Sequence, residues 1–433
     1  MTINNLITKL KNNQLFKDSA WSLMGNVVGR GLALVAGILV ARFLGKDIFG
    51  EYGIIRNTIL TIGVFSTFGL GYTATKYIAE FKALSREKIP LFIKTANKIT
   101  FAISGFMALL LFVFADYVAF HWLEAEHLGT PLRILAVLIV FNAITTTQIG
   151  VLSGFGKFKE IAKINSIVGV LTFLFSVVLT YYFDLNGALL ALLLVQLINC
   201  SLNYFVVKNE TKKIKSVKHQ DKELLRSILS FSTPIALQEA VYAVSSWLLS
   251  LLLIIYATYG DLGMYTAAMQ WKAIILFIPG ILRNVILSHL SENTNNQLAH
   301  NNILKQTITI NFIATLIPCL LVFAFSGFIA KFYGETFDGL SILISLACFI
   351  TIFVSISNVY SQAYMSKGFN WLMFKIRLFR DIGTVVLAYF LIKYMSEGLN
   401  GALLLILSII LINVIFLILM FFIYKKRIDH IDN

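Results

Sequence analysis

Twelve apolar runs separated by short loops leave this chain of 433 residues few ways to fold. They fall at about 19–44, 53–79, 97–120, 132–153, 161–183, 186–207, 228–256, 261–288, 303–330, 338–364, 371–393 and 399–424. Each reaches the roughly 20 residues that an α-helix rising 1.5 Å per residue needs to cross hydrocarbon. With 58% hydrophobic and 13% charged residues, the chain is far too apolar for a water-soluble domain. The pattern predicts an all-α polytopic membrane protein with twelve transmembrane helices.

Orientation follows from where lysine and arginine fall between the runs. One side carries twenty-eight of them, in clusters such as Lys76–Lys98 and Lys208–Arg226, and the other carries only Arg42, Lys46, Arg133, Lys331 and Lys393. The bias alternates across all twelve runs, so a multi-pass protein with both termini in the cytoplasm is expected. The net charge of +14 therefore belongs to loops and does not point to nucleic acid.

The two halves resemble each other. Leu185-Asn186-Gly187-Ala188-Leu189-Leu190 recurs letter for letter at Leu399-Asn400-Gly401-Ala402-Leu403-Leu404. Gly50-Glu51-Tyr52 matches Gly263-Met264-Tyr265, and Gly154 is matched to Gly368. Six runs per half is an even number, so the repeats enter the membrane in the same direction. The expected organisation is a six-helix bundle over 1–207, a basic cytoplasmic linker over 208–227 and a second bundle over 228–433, around a central cavity.

The candidate chemistry lies in charges placed deep in the runs. Arg30 sits in the middle of the first, where a guanidinium is costly unless it faces protein or water. Ser22, Asn26, Arg30, Ala33 and Gly37 share one helical face, and Leu23, Val27, Val28, Leu34, Val35 and Ile38 lie opposite. In the seventh run Glu239, Tyr242, Ser246 and Ser250 share a face, and under the repeat offset Glu239 corresponds to Asn26. Lys272 lies too far into the eighth run to snorkel easily, which calls for a cavity or a carboxylate partner, with Gln270 nearby. Arg56 begins the second run. Asp381 follows Arg380 in the eleventh and is expected to pair with a basic neighbour. Cations (Arg30, Arg56, Lys272) outnumber the one acid, Glu239, which favours an anionic substrate such as a phosphate or pyrophosphate headgroup.

Other features read as structural. Cys200, Cys319 and Cys348 all lie inside apolar runs and make no disulfide or metal pattern. His121-Trp122-Leu123-Glu124-Ala125-Glu126-His127 reads as an interfacial loop anchored by tryptophan rather than as a metal site. Gly69-Leu70-Gly71 and Gly154-Phe155-Gly156 lack the strand–turn–helix setting of a phosphate loop and read as close-packing or bending glycines. No ATP-hydrolysing motif is present.

With these residues in view the chain resembles the polysaccharide-type flippases, including O-antigen flippases, of the multidrug/oligosaccharidyl-lipid/polysaccharide exporter superfamily. The resemblance is carried by Gly29-Arg30, Ala41-Arg42-Phe43-Leu44-Gly45, Phe49-Gly50-Glu51-Tyr52, Pro234, Gly263-Met264-Tyr265-Thr266-Ala267-Ala268 and Pro279. It implies two six-helix bundles that move a polyprenyl-pyrophosphate-linked oligosaccharide across a bacterial inner membrane by alternating access. It also implies that Arg30 is a pyrophosphate-holding arginine. Where the family often carries an aspartate in the seventh helix, this chain has Ser245-Ser246-Trp247.

The expected function is a flippase, not an enzyme, for a lipid-linked repeat unit of O-antigen, capsule or exopolysaccharide. Arg30, Lys272, Arg56 and Asn26 would bind substrate, and Tyr242, Ser246 and Gln270 would line the cavity. No cofactor is expected. Coupling to a proton or sodium gradient is left open, with Glu239 as its candidate residue. Expected partners are the lipid-linked substrate, membrane lipid and the polysaccharide polymerase machinery. The rivals are a multidrug antiporter, which would want acidic cavity residues, and a glycan polymerase or ligase, which would want one long outward loop.

Overall fold

The structure, a computed structural model, describes residues 14–212, 214, 222–277, 279–280, 286, 290, 297–396 and 399–429. Its main helices are α1 Gln14–Thr67, α2 Leu70–Leu84, α3 Ile89–Tyr117, α4 Gly129–Phe155, α5 Phe158–Thr211, α6 Lys222–Tyr256, α7 Tyr259–Ile275, α8 Gln297–Lys331, α9 Leu340–Ser366, α10 Asn370–Met395 and α11 Gly401–Asp429. Among the described residues there is no strand, as expected where a bilayer offers backbone groups no outside partner.

Eight described helical stretches are long and apolar enough to cross a membrane. Two of them hold a pair of spans each. α1 breaks at Gly45 (φ 72, ψ 169), and α5 breaks at Phe183 and Asp184. The shorter α7 and the more polar α10 complete the twelve. The helices extend beyond their apolar runs by about a turn, because lysine and glutamate continue a helix well outside hydrocarbon.

One break is absent from the hydropathy pattern. The second span is interrupted between α1 and α2, where Phe68 (φ 45) and Gly69 (φ 66) both adopt left-handed backbone. Just before it the Ser66 hydroxyl donates to Ile62 O and Gly63 O, both at 3.0 Å, and Thr67 Oγ1 donates to Val64 O at 2.9 Å. Hydroxyls bonding back onto the preceding turn compete with the helix ladder and bend it.

The internal repeat is visible in local geometry. The Leu-Asn-Gly-Ala-Leu-Leu copies each open a final helix: one follows the α5 break, and in the other Asn400 Oδ1 accepts from Leu403 N at 3.0 Å. The glycine pairing needs correction. Gly368 corresponds to Gly156, not Gly154, since both end a helix in left-handed backbone (φ 77 and 76). Their bonds also match: Lys157 N donates to Leu152 O and Phe369 N to Tyr364 O, each at 2.9 Å. Gly154 instead packs against α2, where an added Cβ would lie 2.6 Å from Ile78 Cβ.

Two compact units result, and they differ from the sequence halves by exchanged pieces. The first holds 1–36 and 55–244, and the second holds 37–54 and 245–433. The core of the first joins Leu70, Ala74 and Ile78 of α2 to Phe92 and Ala96 of α3 and Val151, Leu152 and Phe155 of α4. α2 crosses α4 where an added Cβ on Gly150 would overlap Gly71 O, a small-residue contact of the kind that lets membrane helices approach. The second unit has an aromatic core of Tyr360, Tyr364, Phe416 and Tyr424. His300 is buried in it, its ring nitrogens 3.2 Å from Leu290 O and 2.8 Å from Tyr424 OH.

The segment 37–54 enters the second unit through a reciprocal glycine contact. A Cβ on Gly50 would overlap Tyr259 O and lie 3.2 Å from Gly263 N; one on Gly263 would overlap Lys46 O and lie 3.2 Å from Gly50 N. Gly50 and Gly263 are the repeat-matched glycines, and the oxygens they would strike belong to residues four positions before the opposite glycine. A self-complementary contact of this kind is what a twofold relation between repeats produces.

Candidate functional site

The first unit carries Arg30, Arg56, Glu239 and Tyr242. Arg30 is exposed in the middle of the first α1 segment. Its neighbour Gly29 is buried where α1 crosses α5: a Cβ there would lie 2.7 Å from Asn165 O, and one on Gly169 would overlap Gly29 Cα. The glycine seals one face of the helix and turns the guanidinium away from that contact. Of the opposite side, Val27, Val28 and Val35 are exposed and Leu34 and Ile38 are half-buried. Arg56 is exposed on the second α1 segment. The Asn26 side chain lies outside the described residues.

Glu239, exposed on α6, lines a cavity of about 340 Å³ inside this unit. The cavity opens where the second span breaks, against Gly69, Gly71 and Tyr72, and its far wall is Thr146, Gly150 and Ser153 of α4. Its threonine hydroxyls are engaged with backbone: Thr75 Oγ1 donates to Gly71 O at 3.1 Å and Gly150 O at 3.2 Å, and Thr146 Oγ1 to Asn142 O at 2.8 Å. Two bonds hold α6 there. Thr73 and Ser232 hydroxyls lie 2.7 Å apart and fully buried, and Thr61 Oγ1 donates to Ala243 O at 3.4 Å. Tyr242 is exposed on the same helix.

The second unit carries Ser246, Gln270 and Lys272. Ser246 is half-buried, and its carbonyl accepts from Ser250 Oγ at 3.3 Å. Gln270 packs against Gly37, where a Cβ would lie 2.7 Å from its Oε1; that oxygen is buried without a hydrogen-bond partner among the described residues. Lys272 is half-buried and lies within electrostatic range of Arg380. Among the described residues no carboxylate lies within ion-pair distance of Lys272. Asp381 is occupied by its neighbour, at 2.6 Å from Arg380 Nη2 and 2.8 Å from Nε.

Arg380 is the basic neighbour that Asp381 was expected to find. It sits well inside α10, its side chain 18% exposed and stacked 5.0 Å from the Phe416 ring. The signal was available: an arginine and an aspartate side by side within an apolar run. The 121–127 segment forms a π turn at Val118–Trp122, with His121 stacked on Tyr117 at 4.3 Å and Trp122 exposed.

Comparison with known proteins agrees with this architecture. The family described as "Polysaccharide biosynthesis protein" matches residues 15–287. A putative O-antigen transporter of Shigella flexneri is 21% identical over 400 residues, covering 90% of this chain and 93% of that protein. Among solved structures, a multidrug resistance MATE family transporter of the MOP superfamily in an inward-facing conformation superposes with a TM-score of 0.79 at 17% identity, covering 93% of this chain and 95% of that one. The lipid II flippase MurJ in an inward closed conformation gives 0.73 at 16% identity, covering 93% and 87%.

Proposed function

The chain belongs to the polysaccharide biosynthesis protein family, and from that premise we propose that it is a flippase for a polyprenyl-pyrophosphate-linked oligosaccharide, carrying it from the cytoplasmic to the outer leaflet. The observation that carries this reading is an excess of positive charge on membrane-crossing helices. Arg30 and Arg56 are exposed on α1, and Lys272 lies half-buried near Arg380. The acids are fewer, and Asp381 is already spent on Arg380. Cations at membrane depth are costly and persist where they face water or a ligand. A pyrophosphate suits them, because charged hydrogen bonds to phosphate oxygens are strong and arginine can make two at once.

In this reading the basic side of the helices is cytoplasmic, the headgroup meets Arg30 and Arg56 of the first unit, and the polyprenyl chain stays in lipid. The chain does no covalent chemistry. O-antigen transport by the Shigella flexneri relative and lipid II flipping by the structurally similar MurJ support the substrate class. The test is Arg30→Ala in the native cell. Surface glycan should be lost while lipid-linked repeat units accumulate inside and the protein stays at its normal level in the membrane. Normal surface glycan in that variant would remove Arg30 from the mechanism, and the same assay on Lys272→Ala tests the second unit.

A further inference from the structure

A groove in the first unit is unrelated to the charges above. It has a volume of about 610 Å³ and runs along the start of α3. Its walls are Pro90, Ile93, Phe101 and Ala102, with Thr211 at the end of α5 opposite, and Lys94, Asn97 and Lys98 stand along it. α3 buries Ile89, Phe92, Ala96, Thr100 and Ser104 on its inner face. The lysines and Phe101 therefore point away from the core, and all three are exposed.

Three observations bear on what fills the groove. Lys94 and Lys98 are one helical turn apart, and among the described residues neither lies within ion-pair distance of a carboxylate. Thr211, the one hydroxyl in the wall, is turned to its own helix, donating to Val207 O at 3.0 Å. Below the lysines the stripe becomes apolar: Phe101 and Ala102 are followed by Gly105, where a Cβ would meet nothing within 4 Å, and by exposed Phe106, Leu109 and Val113. The groove thus has two cations at its head and an apolar channel along a hydrocarbon-facing helix.

We infer that this groove holds an anionic glycerophospholipid of the surrounding leaflet, its phosphate between Lys94 and Lys98 and one acyl chain lying over Ala102 and Gly105. Charge complementarity selects the occupant. The headgroup must be net negative, because nothing acidic lines the groove to balance the lysines or to receive a choline. A lysine at a membrane surface gains appreciably from anionic lipid, and two acting on one phosphate gain together. The lipid would tie the start of α3 to the end of α5, a seam outside the proposed substrate path. The inference does not depend on the transport reading.

The test is native mass spectrometry of the full chain released from micelles containing phosphatidylglycerol and phosphatidylcholine. The wild-type chain should retain phosphatidylglycerol in preference. Lys94→Gln with Lys98→Gln should weaken its retention roughly 30-fold, and Gly105→Leu, which fills the channel and keeps both charges, should also weaken it. Lys425→Gln with Lys426→Gln, two exposed lysines outside the groove, should leave retention unchanged. An equal loss in that control pair would overturn the inference in favour of diffuse surface charge. Wild-type retention in Gly105→Leu would overturn the acyl-chain placement. Retention of added undecaprenyl pyrophosphate in place of phosphatidylglycerol would overturn the assignment to bulk phospholipid.

Discussion

Glycine meets glycine in both units, with opposite results. In the second unit the Gly50–Gly263 crossing leaves no space, and it is enclosed by large side chains. Phe49 and Leu262 beside the glycines are fully buried, and Phe49 packs edge-on against buried Phe337 at 6.2 Å. In the first unit the Gly71–Gly150 crossing is as close, yet a cavity opens next to it. There the neighbours include threonines bonded to backbone, and the second span breaks at Phe68–Gly69. Glycine allows two backbones to touch; the residues flanking it decide whether the contact is sealed or stands at the edge of a void.

The comparison is broken most directly at Gly263. A side chain there must displace Lys46 O, which is backbone and cannot yield cheaply. Gly263→Leu should destabilise the folded protein by about 3 kcal/mol or more, read as a large fall in thermal unfolding temperature in detergent. Gly50→Ala and Gly263→Ala should be close to equal in effect because the contact is reciprocal. The double variant should then cost clearly less than their sum, since the first methyl already separates the helices. Independent, additive costs would show that the two glycines do not share one contact.

These glycines also show how far sequence carries. Gly50 and Gly263 stood out as matched letters, which located the repeat but could not reveal that the two copies touch. The twelve spans were legible because hydropathy and lysine–arginine bias are summed over many residues and survive boundary errors. The break at Phe68–Gly69 was not, because two hydroxyl bonds and one left-handed glycine leave an apolar run unchanged in composition. The exchanged pieces at 37–54 and 222–244 were hidden for another reason: which unit a helix end joins is decided by partners far away in the chain, such as Ser232 for Thr73. Among the site residues, the place of Arg30 in the middle of its apolar run was readable, whereas Lys272 stands in the last turn of α7. The neighbourhood of Lys272 was not readable, and Arg380 emerged there only in three dimensions.

A smaller effect is expected at the open crossing. Ser232→Ala removes one partner of the buried 2.7 Å hydroxyl pair, while Thr73 keeps its bond to Gly69 O at 3.1 Å. Because Thr73 still has an acceptor for its proton, the cost should be about 1 kcal/mol. Thermal unfolding of the variant against wild type measures it. A loss as large as that at Gly263 would mean that the first unit's crossing is as tightly sealed as the second's.

Glu239 should matter least to stability and most to how the open crossing is used. It is exposed at the rim of a cavity whose threonine hydroxyls already have backbone partners, so Glu239→Gln keeps its shape and removes only a charge. Unfolding should shift by no more than about 0.5 kcal/mol. If the carboxylate carries a coupling proton or sodium ion, glycan export by the variant should no longer respond when the corresponding gradient is dissipated, whereas wild-type export should fall. Export by the variant that still tracks the gradient would leave the cavity a packing defect beside two touching glycines, and the contrast between the units would then be one of structure alone.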